Sequence, residues 1–213
     1  GLSDALIEDN SLYLGQDPSS TTSTAEYNLS IGVTALDAIT TGDANIAIGH
    51  DALSANTTGS GNLAIGYGAY DNADTEGNNL AIGRDALGGS INGGETNIAI
   101  GNYSLDANTS GDRNVALGYV ALTQNSTGTY NVAIGSGASQ LNSSGSSNTS
   151  LGNNSMYSNT SANYNTAIGA EALYDIARTS DTDGYNTALG YNAGNTGTND
   201  ITTGNKNTLL GAS

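Results

Sequence analysis

Apolar and polar positions along this chain follow one dominant period. A pentapeptide, Asn-x-(Ala/Ser)-(Ile/Leu)-Gly, returns every 17 residues almost throughout; one step is 18 residues and the last two are 21. The residue before the closing glycine is always a branched aliphatic: Ile31, Ile48, Ile65, Ile82, Ile100, Leu117, Ile134, Leu151, Ile168, Leu189 and Leu210. Two residues earlier stand Leu29, Ile46, Leu63, Leu80, Ile98, Val115 and Val132, and then Thr149, Thr166, Thr187 and Thr208. Side chains two apart share one face of a strand, so these two positions form one face and the intervening Ala or Ser the other. We read the aliphatics before the glycine as core and the small-residue face as closely covered by a second layer. A fixed short period of this kind marks a stack of units, each too small to bury its apolar face alone.

The rest of the repeat fits one turn of a coil. Three and four residues after the glycine comes Ala-Leu or a near equivalent, as in Ala35-Leu36, Ala52-Leu53 and Ala121-Leu122, which reads as a second short wall. Stretches such as Asn56-Thr57-Thr58-Gly59 and Asn125-Ser126-Thr127-Gly128 read as outer turns. The asparagine that opens the pentapeptide recurs at Asn28, Asn45, Asn62, Asn79, Asn97, Asn114, Asn131, Asn148, Asn165, Asn186 and Asn207. Eleven aligned amides predict a hydrogen-bonded ladder at strand spacing; a plain preference of Asn for positive φ is the competing reading. The predicted fold is all-β, a parallel β-solenoid of about twelve short coils. Residues 1–27 are an N-terminal entry coil, 28–164 the regular repeats and 165–213 an end built of longer repeats, with outward bulges over 174–185 and 195–205. Eleven stacking steps give a rod about 53 Å long.

Composition changes this picture little, although on its own it would point elsewhere. Leu, Ile and Val total 37 of 213 residues, Phe is absent and the formal charge is -16, which ordinarily signals disorder. The period overrides that, because a disordered chain has no need of an aliphatic at one fixed phase. The few large apolar side chains per coil do not offset the ordering of its backbone, which argues for association between copies.

Four basic residues, Arg84, Arg113, Arg178 and Lys206, make no stripe for phosphates, so nucleic acid is excluded as a partner. No apolar run is long enough for a membrane-spanning helix. There is no Cys.

The residues offer little chemistry. His50, the single histidine, has no recognisable nucleophile partner, and Asp37, Asp51, Asp71, Asp85 and Asp106 fall at different phases, unlike a calcium-binding repeat. We therefore expect no enzyme activity, no cofactor and no metal site. Asn56, Asn108, Asn125, Asn142 and Asn159 match the Asn-x-Ser/Thr acceptor pattern by composition alone. Tyr67, Tyr119 and Tyr191, all directly after the glycine, are the candidate recognition residues, and Tyr27, Tyr130, Tyr164 and Tyr185 precede the ladder asparagine.

The run Asn-x-Ala-Ile-Gly, the following Ala-Leu and the Asn-Thr-Thr-Gly turn resemble the head repeats of trimeric autotransporter adhesins. They are more similar still to repeats in bacteriophage tail-fibre and appendage proteins. The resemblance spans nearly the whole chain, although its unit of 17 residues is longer than that of the adhesin heads. It implies a parallel β-roll, three copies of which form a homotrimeric rod or prism. It also implies an extracellular place on a virion appendage, with a host receptor or cell-surface glycans as partners and no membrane insertion. The expected function is a structural or adhesive shaft of a fibre. A bacterial adhesin head on the cell surface is the alternative, and an ice-binding solenoid with aligned Thr149, Thr166, Thr187 and Thr208 the lesser one.

Overall fold

The computed structural model describes residues 5–8, 10–15, 23–89, 93–176, 183–195 and 206–211. These residues contain no helix and form a single sheet. Its strands are β1 (Ala5–Glu8), β2 (Ser11–Leu14), β3 (Leu29–Ile31), β4 (Ile46–Ile48), β5 (Leu63–Ile65), β6 (Leu80–Ile82), β7 (Ile98–Ile100), β8 (Val115–Leu117), β9 (Val132–Ile134), β10 (Thr149–Leu151), β11 (Thr166–Ile168), β12 (Thr187–Leu189) and β13 (Thr208–Leu210). Strand order in space equals strand order in sequence. From β2 onward every pair is parallel and offset by one repeat, for example Ile46↔Leu63, Ala47↔Ala64 and Ile48↔Ile65. Each turn of chain is thus one rung of a β-solenoid.

The irregular steps do not disturb this register. Leu80 pairs with Ile98 across the 18-residue step, and Thr166 with Thr187 and Thr187 with Thr208 across the two 21-residue steps. Most of the residues expected to bulge, 177–182 and 196–205, lie outside the described residues. At the other end, β1 runs antiparallel to β2, with Asn10 turning at φ 61°. The first rung is therefore covered by a hairpin strand, where the repeat alone predicted only an entry coil.

Large and small side chains take the opposite sides from those expected. The small residues of the strands face into the coil: Ala47, Ala64, Ala81, Ala99, Ala116 and Ala133 are fully buried. The aliphatics assigned to the core, Ile31, Ile48, Ile65, Ile82, Ile100, Leu117, Ile134, Leu151, Ile168, Leu189 and Leu210, face outward and are half-buried or exposed in the chain. Leu117 is 40% exposed and Leu210 74%.

The reason is the thinness of the coil. The facing wall already fills the interior with Leu36, Leu53, Tyr70, Leu87, Leu105, Leu122, Met156 and Leu173, all buried. Where Ser139 replaces that leucine, its hydroxyl donates to Ser150 Oγ on the strand side at 2.9 Å. Two walls close enough for a direct hydroxyl contact leave room on the strand side for Ala or Ser only.

The backbone reaches this thinness through repeated left-handed residues. In the coil around Gly118, Arg113, Val120 and Leu122 have φ near +50° and Gly118 itself has φ 142°. Val120 and Leu122 are held there by the neighbouring rungs, the former donating to Asn102 O on one side and the latter to Ala138 O on the other. Successive turns of the backbone thereby send amides alternately up and down the stack. At Gly49 a Cβ would lie 2.2 Å from Gly66 O on the next rung. Conformation and contact therefore both require glycine there.

The opening asparagines form a continuous buried ladder. Asn45 N donates to Asn28 Oδ1 at 2.8 Å, Asn62 N to Asn45 Oδ1 at 3.0 Å, and the pattern continues to Asn207 N on Asn186 Oδ1 at 3.2 Å. In the later rungs the amide nitrogen joins in, as in Asn131 Nδ2 to Asn114 Oδ1 at 3.1 Å. The ladder asparagines themselves do not have positive φ. That conformation belongs to the residue before each of them, such as Tyr27, Ala44, Arg113, Tyr130 and Tyr164.

A second ladder lies inside the coil, seven residues after the glycine. Asn56, Asn108, Asn125, Asn142 and Asn159, read from sequence as outer turn residues and acceptor-pattern matches, are buried. Asn125 Nδ2 donates to Asn108 Oδ1, Asn142 Nδ2 to Asn125 Oδ1 and Asn159 Nδ2 to Asn142 Oδ1, at 2.8–3.1 Å. Both ladders meet at one carbonyl per rung: Gly128 O accepts from Asn114 Nδ2 at 2.8 Å and from Asn125 Nδ2 at 3.0 Å. Ile39, Ala73 and Ile176 replace the second asparagine in other rungs and are equally buried. Asn56 Oδ1 is left without a partner because Ala73 stands where the next donor would be. Ala73 in turn accompanies Tyr70, whose larger ring takes the leucine position and whose hydroxyl accepts from Asn79 Nδ2.

Candidate functional site: an outward apolar face and its tyrosine flanks

With the small residues turned inward, the opposite side of the sheet presents two columns of aliphatics. One column runs from Leu29 through Ile46, Leu63, Leu80, Ile98 and Val115 to Val132 and becomes Thr from Thr149 onward. The other is the unbroken series from Ile31 to Leu210. No Asp, Glu, Lys or Arg occupies any strand position from β3 to β13 in a chain of net charge -16. This uncharged apolar strip is the most distinctive surface of the molecule, since contiguous exposed apolar area of this kind marks an interaction site.

Two columns of mixed character, rich in tyrosine, border the strip. On one side, directly after the glycines, stand Val33, His50, Tyr67, Arg84, Asn102, Tyr119 and, further on, Tyr191. On the other side, before the ladder asparagines, stand Tyr27, Arg113, Tyr130, Tyr164 and Tyr185. Tyr67, Tyr119 and Tyr191, the residues singled out for recognition, are all more than half exposed. They are not brought together: each sits on its own rung, with two and three rungs between successive members.

The ring contacts decide what these tyrosines can do. His50 stacks on Tyr67 with ring centroids 5.3 Å apart and planes 15° apart, and the Arg84 guanidinium lies 5.5 Å from the same ring. His50 belongs to the preceding rung and Arg84 to the following one, so both faces of Tyr67 are covered. Arg84 also lies 5.9 Å from Tyr103, which meets Tyr119 edge to face at 6.3 Å. The aromatics therefore stack along the rod axis, and Tyr67 offers its edge and hydroxyl outward. A sugar ring cannot lie on a face of Tyr67 unless this column rearranges.

No protein-family model, curated protein or solved structure matches the chain.

The acidic residues gather on another side of the same rungs. Asp51 Oδ2 lies 2.6 Å from His50 Nδ1 and Thr34 Oγ1 donates to Asp51 Oδ1, while Asp85 accepts from Arg84 Nε at 3.1 Å. Partial burial raises the Asp71 carboxyl to about 6, with its own backbone hydrogen bond opposing and the charges of Asp85, Asp51 and Asp106 adding to the rise. Asp106 and Asp37 are raised mainly by desolvation too. Among the described residues no cluster of three or more His, Cys, Asp or Glu could hold a metal ion. No helix there is long and apolar enough to cross a membrane. The Tyr70 hydroxyl is pushed far above its ordinary range by burial and by the nearby Glu76 charge, so it remains a neutral interior group.

Proposed function

We propose that this chain is a structural shaft, with adhesive capacity, in an extracellular fibre of the phage tail or virion type, and that three copies assemble around their apolar strips. The observation that carries this reading is the strip itself: two columns of aliphatics, free of charge along eleven strands, on the outside of a chain whose surface is otherwise acidic. Like-charged copies can approach one another only where carboxylates are absent. Covering the strip also supplies burial that a coil with one leucine-sized interior side chain lacks. A stack of identical rungs gives a straight element suited to holding a binding tip away from a particle, and its long sides are open to weak contacts with host-surface glycans or a receptor.

A bacterial adhesin head would use the same assembly. The ice-binding reading is favoured only by the column Thr149, Thr166, Thr187 and Thr208, which is aligned but one residue wide; measured thermal hysteresis would decide it.

Sedimentation equilibrium tests the assembly. Three chains of 21.3 kDa sum to about 64 kDa. That mass, falling to one chain in Ile65→Asp/Ile82→Asp with secondary structure intact, is the expected result. A wild-type protein of single-chain mass at micromolar concentration overturns the reading.

A further inference from the structure

The flanking columns place large aromatic side chains at the surface on a backbone that the repeat holds in the left-handed region. Tyr27, Tyr130, Tyr164 and Tyr185 adopt φ between 48° and 61°, although they are roughly half exposed. A bulky residue in this region costs about 1–2 kcal/mol, and Gly61 occupies the same phase without that cost. Within the chain, backbone hydrogen bonds between rungs hold this conformation, as in Tyr130 N to Asp112 O at 3.0 Å and Tyr164 N to Ser146 O at 3.1 Å, and stacking adds to them, between Tyr164 and Tyr185 at 5.0 Å and between Arg113 and Tyr130 at 5.4 Å.

Four rungs pair a ring on one flank with a slight residue on the other. Tyr67 stands across the strip from Gly61, His50 from Ala44, Tyr130 from Ser136 and Tyr164 from Ala170. The two flanks of a rung are six residues apart, up to about 20 Å along an extended strand. They cannot sense each other within one chain.

We propose that the two flanks interlock across the seams of the assembly, so that the bulky flank of one copy seats on the slight flank of the next at the same height. The inference rests on the trimer proposed above and specifies its contacts. Closed three-fold symmetry is a rotation without translation, so a rung of one copy faces the same rung of its neighbour, and one flank always meets the other. The edge of Tyr67 then meets Gly61 of the neighbouring copy, and Tyr130 its Ser136. Tyr119 meets the neighbour's Arg113, a cation against a ring, and this bonds the middle of the seam. The rungs of β3 and β12, next to the ends, have Tyr27 opposite Val33 and Tyr185 opposite Tyr191, carry two bulky flanks and set the seam's limits.

Cross-linking tests the seam, because the chain has no cysteine of its own. Ala44→Cys/His50→Cys places one thiol on each flank of one rung, and Ala44→Cys/Arg84→Cys places them two rungs apart. Ser136→Cys/Tyr130→Cys repeats the same-rung geometry elsewhere. With a short thiol-to-thiol reagent, both same-rung pairs are expected to give covalent trimers at least about tenfold faster than the offset pair, through their higher effective concentration. Equal or faster cross-linking of the offset pair, or none in any pair while sedimentation still gives three chains, overturns the seam and leaves the trimer standing. A single-chain mass in sedimentation overturns both.

Discussion

Rungs β4 to β9 and rungs β10 to β13 share an inner side and differ on the outer one. Inside, both regions have Ala or Ser on the strand in every rung but the last, where Leu209 stands, and the asparagine ladder passes through both without a break. Outside, the first aliphatic column of the earlier rungs is replaced by Thr149, Thr166, Thr187 and Thr208, and the remaining aliphatics become more exposed, with Leu189 at 48%. The inner side is fixed by the thinness of the coil, which every rung must obey. The outer side is fixed by what lies against it. Under the proposed assembly, the earlier rungs are the tightly joined part and the later rungs the looser one.

If the inner side is the same throughout, damage to it must cost the same in both regions. Asn131→Asp would set a carboxylate oxygen against Gly145 O and Asn114 Oδ1, and Asn165→Asp would do so against Asn163 O and Asn148 Oδ1. Each should lose about 3–5 kcal/mol, as an unpaired buried charge does, read as a shift in the urea midpoint. A cost confined to one region would contradict the uniform ladder. Overfilling the interior comes next: Ala64→Leu and Ala167→Leu should each lose about 1–3 kcal/mol or more, whereas Ile65→Ala should barely alter the stability of the separated chain.

The outer side should show the opposite, unequal behaviour. Ile65→Asp, in the aliphatic part of the strip, should weaken association by at least about 100-fold, since a carboxylate there is desolvated without a partner. Thr166→Asp, where the column is already polar, should weaken it by less than about tenfold. Dilution series followed by sedimentation would measure both. Equal effects would mean that the two regions are covered alike.

The smallest expected effect concerns Asp71. Its carboxyl titrates at about 6 in the folded chain against an ordinary 3.8, so the folded form binds the proton more tightly than the unfolded one. Stability should therefore fall as pH rises through this interval and recover on acidification. Asp71→Asn should raise the melting temperature slightly at pH 7 and leave it unchanged near pH 4. Equal shifts at both values would assign the change to packing.

What the repeat disclosed and what it hid divide along physical lines. Register was legible because one phase of aliphatic, small residue and glycine admits only one alignment of rungs. The first asparagine ladder was legible for the same reason. Which face of the strand lies inside was not, because alternation defines two faces and leaves open which one is interior; the presumption that the larger side chains lie inside fails in a coil whose far wall already supplies Leu53 or Leu122. The second ladder was hidden because Asn-Thr-Thr-Gly is ordinary turn chemistry. Its signal was the exchange of Asn56 and Asn108 for Ile39, Ala73 and Ile176 at one phase, which an exposed turn has no reason to make. The left-handed backbone of Val120 and Leu122 has no counterpart in their side chains and follows only from the hydrogen bonds between rungs. For the candidate site, Tyr67 and Tyr119 were visible as aromatics in register, but the stacking that covers the faces of Tyr67 depends on His50 and Arg84 in adjacent rungs.

Thiol labelling in the native assembly would test the central claim most directly, with one cysteine placed inward and one outward. Ala64→Cys should stay unreactive at every protein concentration. Ile65→Cys should be protected in the assembly and become reactive on dilution to single chains. A reactive Ala64→Cys, or an Ile65→Cys that labels equally fast at high and low concentration, would contradict a coil lined by small residues and covered on its aliphatic side by sister copies.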